Sequence, residues 1–69
     1  MNAAAEKEKL YTEYRDKVMG YIFGKLQNWH DSEDLVSEVF LKVCEKYDCF
    51  DQSRASVSTW IYTITRNTV

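Results

Sequence analysis

Proline is absent from this 69-residue chain, and glycine occurs only at Gly20 and Gly24. These are the residues that weaken helices most, so little here interrupts a helix. No apolar run approaches the ~18 residues of a membrane span, and no membrane partner is expected. Histidine occurs once and cysteine twice. His30, Cys44 and Cys49 match no zinc-ligand spacing, and Cys44 falls on an apolar helix face, which predicts burial rather than ligation. No metal and no cofactor are expected. A glycine-rich phosphate loop is missing. His30 and the cysteines lack the third group of a nucleophile–base arrangement. The clustered carboxylates have no evident pocket in so small a chain, and an enzyme is not expected. No signal peptide is visible, and the simplest reading is a cytoplasmic protein with reduced thiols.

What is present points to one small all-α domain. The hydrophobic fraction of 45% suits a folded chain, but its size limits stability to roughly 3–5 kcal/mol. Charge is unevenly placed. Residues 1–30 are nearly balanced, residues 31–51 hold seven acids against two bases, and residues 52–69 hold two arginines and no acid. A global argument for a polyanion partner fails, and a local one survives for the last third.

Three helices are expected. Residues 1–8 read as a flexible lead, with Met1–Ala5 frayed. From about Glu6 to Asn28, Leu10, Tyr14, Val18, Ile22 and Leu26 recur at helical spacing, with Tyr11, Tyr21 and Trp29 widening the stripe. Gly20 and Gly24 either admit close packing of another helix or mark a bend. Asn28–Asp31 reads as a connection, and Asp31 as the N-cap of a second helix over about Ser32–Tyr47. Its buried face is Leu35, Val36, Val39, Phe40, Val43, Cys44 and Tyr47. Asp48–Ala55 reads as a polar loop. Ser56 is the expected N-cap of a third helix, roughly Val57 to Asn67, with an apolar stripe of Val57, Trp60, Ile61 and Ile64. No glycine C-cap follows, so this helix is expected to continue in a longer parent protein.

Two outer faces carry the functional question. Asp34, Ser37, Glu38, Leu41 and Glu45 line one side of the second helix. This is either a solvated face with one exposed Leu, or a docking stripe in which carboxylates ring a small apolar anchor. Ser58, Thr59, Tyr62, Thr63 and Arg66 face outward on the third helix, with Arg54 in the loop before it. This is either an ordinary polar face or a nucleic-acid surface, because hydroxyls and arginines contact phosphates and aromatic rings stack on unpaired bases. Trp60 is expected to be partly buried, with an edge left for stacking.

The runs Asp31-Ser-Glu-Asp-Leu-Val-Ser-Glu-Val-Phe-Leu-Lys-Val43, Tyr47-Asp-Cys-Phe-Asp51 and Trp60-Ile-Tyr-Thr-Ile-Thr-Arg-Asn67 together resemble region 2 of bacterial RNA polymerase sigma factors of the extracytoplasmic-function (ECF) type. The start Leu10-Tyr-Thr-Glu-Tyr14 is similar to that family's entry helix, and the resemblance covers about residues 9–69. It implies a compact helical domain with two partners. Asp34, Leu35, Ser37, Glu38 and Leu41 fall where the second helix docks on the β′ clamp helices of the core polymerase. Asp48, Phe50, Asp51, Arg54, Ser56, Ser58, Thr59, Trp60, Tyr62, Arg66 and Asn67 fall where the family binds the melted non-template strand of the minus-ten promoter element. There a base is flipped into a pocket made largely by the loop. An anti-sigma factor enters as a further candidate partner. Ser37 stands where the family usually has Gln, and Val57 where it usually has Phe. The family continues beyond Asn67 with an Asp and an Arg, so the chain reads as a domain cut within its last helix and expected to self-associate at high concentration. The rival reading is a protein-only helical interaction module.

Overall fold

The computed structural model describes residues 3–69. Helix α1 runs Ala3–Leu26, α2 runs Trp29–Lys46, a single 3-10 turn covers Tyr47–Cys49, and α3 runs Val57–Thr68. No strand occurs among the described residues. At 1.5 Å per residue, the 24 residues of α1 account for the long dimension of a body measuring 37 × 22 × 17 Å. Helix α2 folds back along α1, and the shorter α3 closes the remaining side of both. Met1 and Asn2 lie outside the described residues. Ala3–Ala5, expected to fray, already belong to α1.

One apolar cluster joins the helices. Tyr14, Val18, Met19 and Ile22 come from α1, Val36, Val39, Phe40 and Val43 from α2, and Ile61 and Ile64 from α3. Each such side chain contributes roughly 1.5–3 kcal/mol by leaving water. Leu10, Leu26, Leu35, Val57 and Trp60 pack around its edge. Ser32 and Thr65 are also fully buried. Each hydroxyl donates back to a carbonyl one turn earlier in its own helix, Ser32 to Asn28 at 2.6 Å and Thr65 to Ile61 at 2.8 Å, so neither is left unsatisfied.

The turn between α1 and α2 corrects the expected N-cap. Gln27 takes a left-handed conformation (φ 56°), and its N–H reaches the Phe23 carbonyl at 2.8 Å, ending α1 as a glycine commonly does. Asn28 then caps α2, its side-chain oxygen accepting from the Asp31 N–H at 3.0 Å. Asparagine caps as well as aspartate, so α2 starts at Trp29 and Asp31 lies in its first turn. Three further expectations change. A methyl group added at Gly20 or Gly24 would meet nothing within 4 Å, so neither glycine serves helix packing. Tyr11 and Trp29 are exposed: Tyr11 rests edge-on against Phe40, and Trp29 touches Phe23 across the turn. Cys44, expected in the core, is exposed, because the buried face of α2 centres on Val36, Val39, Phe40 and Val43 and leaves position 44 outside.

Candidate functional site

The outer face of α2 forms one row. Asp34, Ser37, Glu38, Leu41, Cys44 and Glu45 are exposed at three-four spacing, and Leu41 shows 63% of its surface. Leu35 is half-buried against the core, so it borders this row rather than standing in it. The ion pairs among the described residues are Arg15–Asp16 and Arg54–Asp51, so Asp34, Glu38 and Glu45 carry uncompensated charge. An exposed leucine ringed by unpaired carboxylates suits a basic helix with an apolar seam.

The second surface is built by the loop and the start of α3. The 3-10 turn brings Phe50 forward, its N–H bonding to the Tyr47 carbonyl at 3.1 Å. The Phe50 ring stacks on Trp60, with centroids 4.6 Å apart and planes at 23°. Beyond them Asp51 nucleates a turn. Its carboxylate accepts from the Ser53 N–H at 2.9 Å and the Ser53 hydroxyl at 2.6 Å, while its carbonyl accepts from the Arg54 N–H at 3.1 Å. The Ser53 hydroxyl, and then the Ser53 N–H, hold the Asp51 carboxyl below its usual range. The Arg54 guanidinium lies 3.9 Å from the same carboxylate and remains largely exposed. Cys49, Phe50, Asp51, Arg54, Ala55 and Trp60 enclose an open hollow of ≈ 210 Å³. It combines an aromatic wall, a fixed carboxylate and an exposed guanidinium, groups that can stack on and hydrogen-bond to a planar polar ring.

Ser56 caps α3 as expected, accepting from the Thr59 N–H at 3.2 Å and donating to the Thr59 hydroxyl at 3.0 Å. Trp60 is half-buried, as its phase predicts. Ser58 and Tyr62, expected to face outward, are half-buried, and Tyr62 meets Tyr21 edge-on at 6.4 Å. Thr63 is exposed, but its hydroxyl is engaged by the Thr59 carbonyl at 2.9 Å. Arg66 and Asn67 are exposed near the far end of α3, and Asp48 is exposed on the 3-10 turn. The structure thus gathers Phe50, Asp51, Arg54 and Trp60 at one hollow. Asp48, Ser56, Ser58, Thr59, Tyr62, Arg66 and Asn67 do not line it. Sequence reasoning placed the stretch Asp48 through Ser56 at the site without singling out Cys49 and Ala55, which line the hollow through their place beside Phe50 and Arg54. It also missed the side-chain bonds that join separate helices. Lys42 donates to the Thr68 hydroxyl at 3.2 Å, and the Tyr47 hydroxyl donates to the Glu6 carboxylate.

The chain is thus a three-helix body that carries an acidic, leucine-centred face on α2 and an aromatic hollow beside α3. Its sequence matches Sigma-70 region 2 over residues 10–69, and the chain belongs to that family, whose members serve transcription initiation. It is 37% identical over 59 residues to the ECF RNA polymerase sigma factor RpoE of Cereibacter sphaeroides, covering 86% of this chain and 33% of that protein. It is 37% identical over 54 residues to the ECF RNA polymerase sigma factor SigW of Bacillus subtilis, covering 78% and 28%. For the ECF RNA polymerase sigma factor BldN of Streptomyces coelicolor the identity is 34% over 61 residues, covering 88% and 23%. The similarity therefore lies with region 2 of ECF-type sigma factors, and the chain spans about a third or less of the length of these relatives. No solved structure matches it. No helix among the described residues is long and apolar enough to cross a membrane.

Proposed function

We propose that this domain docks on the β′ clamp helices of RNA polymerase through the outer face of α2, and that its loop and α3 recognise and melt the minus-ten promoter element. Asp34, Ser37, Glu38 and Leu41 form the docking contact, with Leu35 beneath them. The hollow beside the Phe50–Trp60 stack takes a base extruded from the non-template strand, with Arg54 and Arg66 meeting phosphates and Asn67 a polar group. Extrusion costs a few kcal/mol, which stacking and edge hydrogen bonds offset. RNA synthesis itself belongs to the core enzyme.

The observation that carries this reading is the separation of chemistry on one small body. The unpaired carboxylates Asp34, Glu38 and Glu45 surround exposed Leu41 on α2, whereas the acid nearest the hollow, Asp51, is held by Ser53 and faced by Arg54. The test is binding of the domain to a β′ clamp-helix peptide and to single-stranded minus-ten DNA. Glu38→Lys is expected to abolish peptide binding and leave DNA binding intact. DNA affinity is expected to fall with rising salt. Peptide binding without DNA binding at low salt would leave the protein-only interaction module as the correct reading. Failure to bind either ligand by folded protein would end both readings.

A further inference from the structure

The loop that makes the hollow is held within itself along most of its length. Asp51 bonds to Ser53 and Arg54, and Ser56 bonds to Thr59. Its entry is different. Tyr47, first residue of the 3-10 turn, presents its hydroxyl to the Glu6 carboxylate on the first turns of α1, 41 positions earlier in the chain. The Lys7 ammonium sits 5.9 Å from the centre of the same ring. The Tyr47 carbonyl in turn receives the Phe50 N–H, and Phe50 stacks on Trp60. A continuous line of contacts therefore runs from Glu6 through Tyr47 and Phe50 to the wall of the hollow. A second hollow of ≈ 320 Å³ lies between α1 and the loop, with Glu6, Leu10, Glu13, Tyr47, Gln52 and Val57 among its lining. The loop thus has open space behind it as well as in front, and the Glu6–Tyr47 bond spans the gap where it begins.

We infer that Glu6 is a positioning residue for the nucleic-acid surface: it fixes Tyr47, and through the 3-10 turn sets where Phe50 and Trp60 present their rings. Glu6 lies ahead of residues 10–69, the span that matches the family. The Tyr47 hydroxyl is held neutral to higher pH than usual, first by its bond to Glu6, as expected of a donor to a carboxylate.

The inference rests on the proposed DNA role, and its test keeps the two separable. Tyr47→Phe removes only the hydroxyl, Glu6→Ala removes the acceptor, and Glu6→Gln keeps an acceptor oxygen. All are made in a Trp29→Phe background so that Trp60 alone reports. Tyr47→Phe and Glu6→Ala are expected to raise acrylamide quenching of Trp60. They should also weaken binding of a single-stranded minus-ten oligonucleotide ~10-fold, the scale of one lost hydrogen bond to a charged group. Clamp-peptide affinity should not change, and Glu6→Gln should restore most of the loss. Unchanged Trp60 quenching in both variants, or equal weakening of both ligands, overturns the inference. If the parent domain binds no oligonucleotide, the DNA role has failed, and Trp60 quenching with its rescue by Glu6→Gln still decides whether Glu6 positions the stack.

Discussion

Leu41 and Ile22 are both leucine-sized residues on long helices, and truncating each should destabilise the domain to very different extents. Leu41 keeps 63% of its surface in water. Only about a third of the 1.5–3 kcal/mol available from burying a leucine is realised there, so Leu41→Ala forfeits roughly 0.5–1 kcal/mol. Alanine's better helix propensity returns a few tenths of that. The net destabilisation should be near 0.5 kcal/mol. Ile22 is fully buried, and Ile22→Ala adds a cavity term for a total of about 2–5 kcal/mol. Against a total stability of roughly 3–5 kcal/mol, that change leaves the domain marginal or unfolded. Urea denaturation followed by circular dichroism separates the two variants. The same Leu41→Ala protein, folded, should lose ~10-fold or more of its affinity for the clamp-helix peptide, as expected for a central apolar anchor. Unchanged peptide affinity would remove Leu41 from the docking face. Destabilisation matching that of Ile22→Ala would refute the exposure on which the reasoning depends.

Three other outcomes follow from the backbone and the loop. Gln27→Gly should raise stability by about 0.5–1 kcal/mol, because it relieves a left-handed conformation, and a lower denaturation midpoint would contradict that geometry. Gly20→Ala and Gly24→Ala should each stabilise by up to ~1 kcal/mol, since the added methyl meets no neighbour, and thermal melts of the single and double variants check this. The carboxyl of Asp51 is held low, so its stabilising contribution is complete above the ordinary aspartate range and is lost as pH falls through that range and below. In an NMR pH titration, Ser53→Ala should move the Asp51 midpoint upward, towards the ordinary value; an unmoved midpoint would show that Ser53 does not hold the carboxylate.

The helices were legible because their apolar residues recur at three and four positions with no proline to interrupt them. The core was legible less completely. Ser32 lies one turn before Val36 and Thr65 one turn after Ile61, in phase with the buried face, yet their polar side chains hid them. Each is tolerated inside because it bonds its own helix, which spacing alone does not reveal. Met19 was overlooked beside Val18, where the buried face of α1 is wider than a single stripe. The α2 start was misplaced because Asn28 and Asp31 are equally good caps, and what selects Asn28 is a left-handed Gln27 that no glycine announces. At the candidate site, the acidic row on α2 was readable from periodicity. The Phe50–Trp60 stack was not, because it joins a loop residue to a helix ten positions away, and loop geometry has no period.

The exposure of both thiols has a practical consequence. Cys44 stands on the outer row of α2, three positions after Leu41, and Cys49 lines the hollow beside Phe50. The two surfaces thus each carry a native chemical reporter, and no cysteine needs to be introduced or removed. A ligand covering the α2 row should slow alkylation of Cys44 and spare Cys49; a ligand seated in the hollow should do the reverse. Mass spectrometry of partly alkylated protein then maps which face a partner occupies in a mixture, on the unaltered chain.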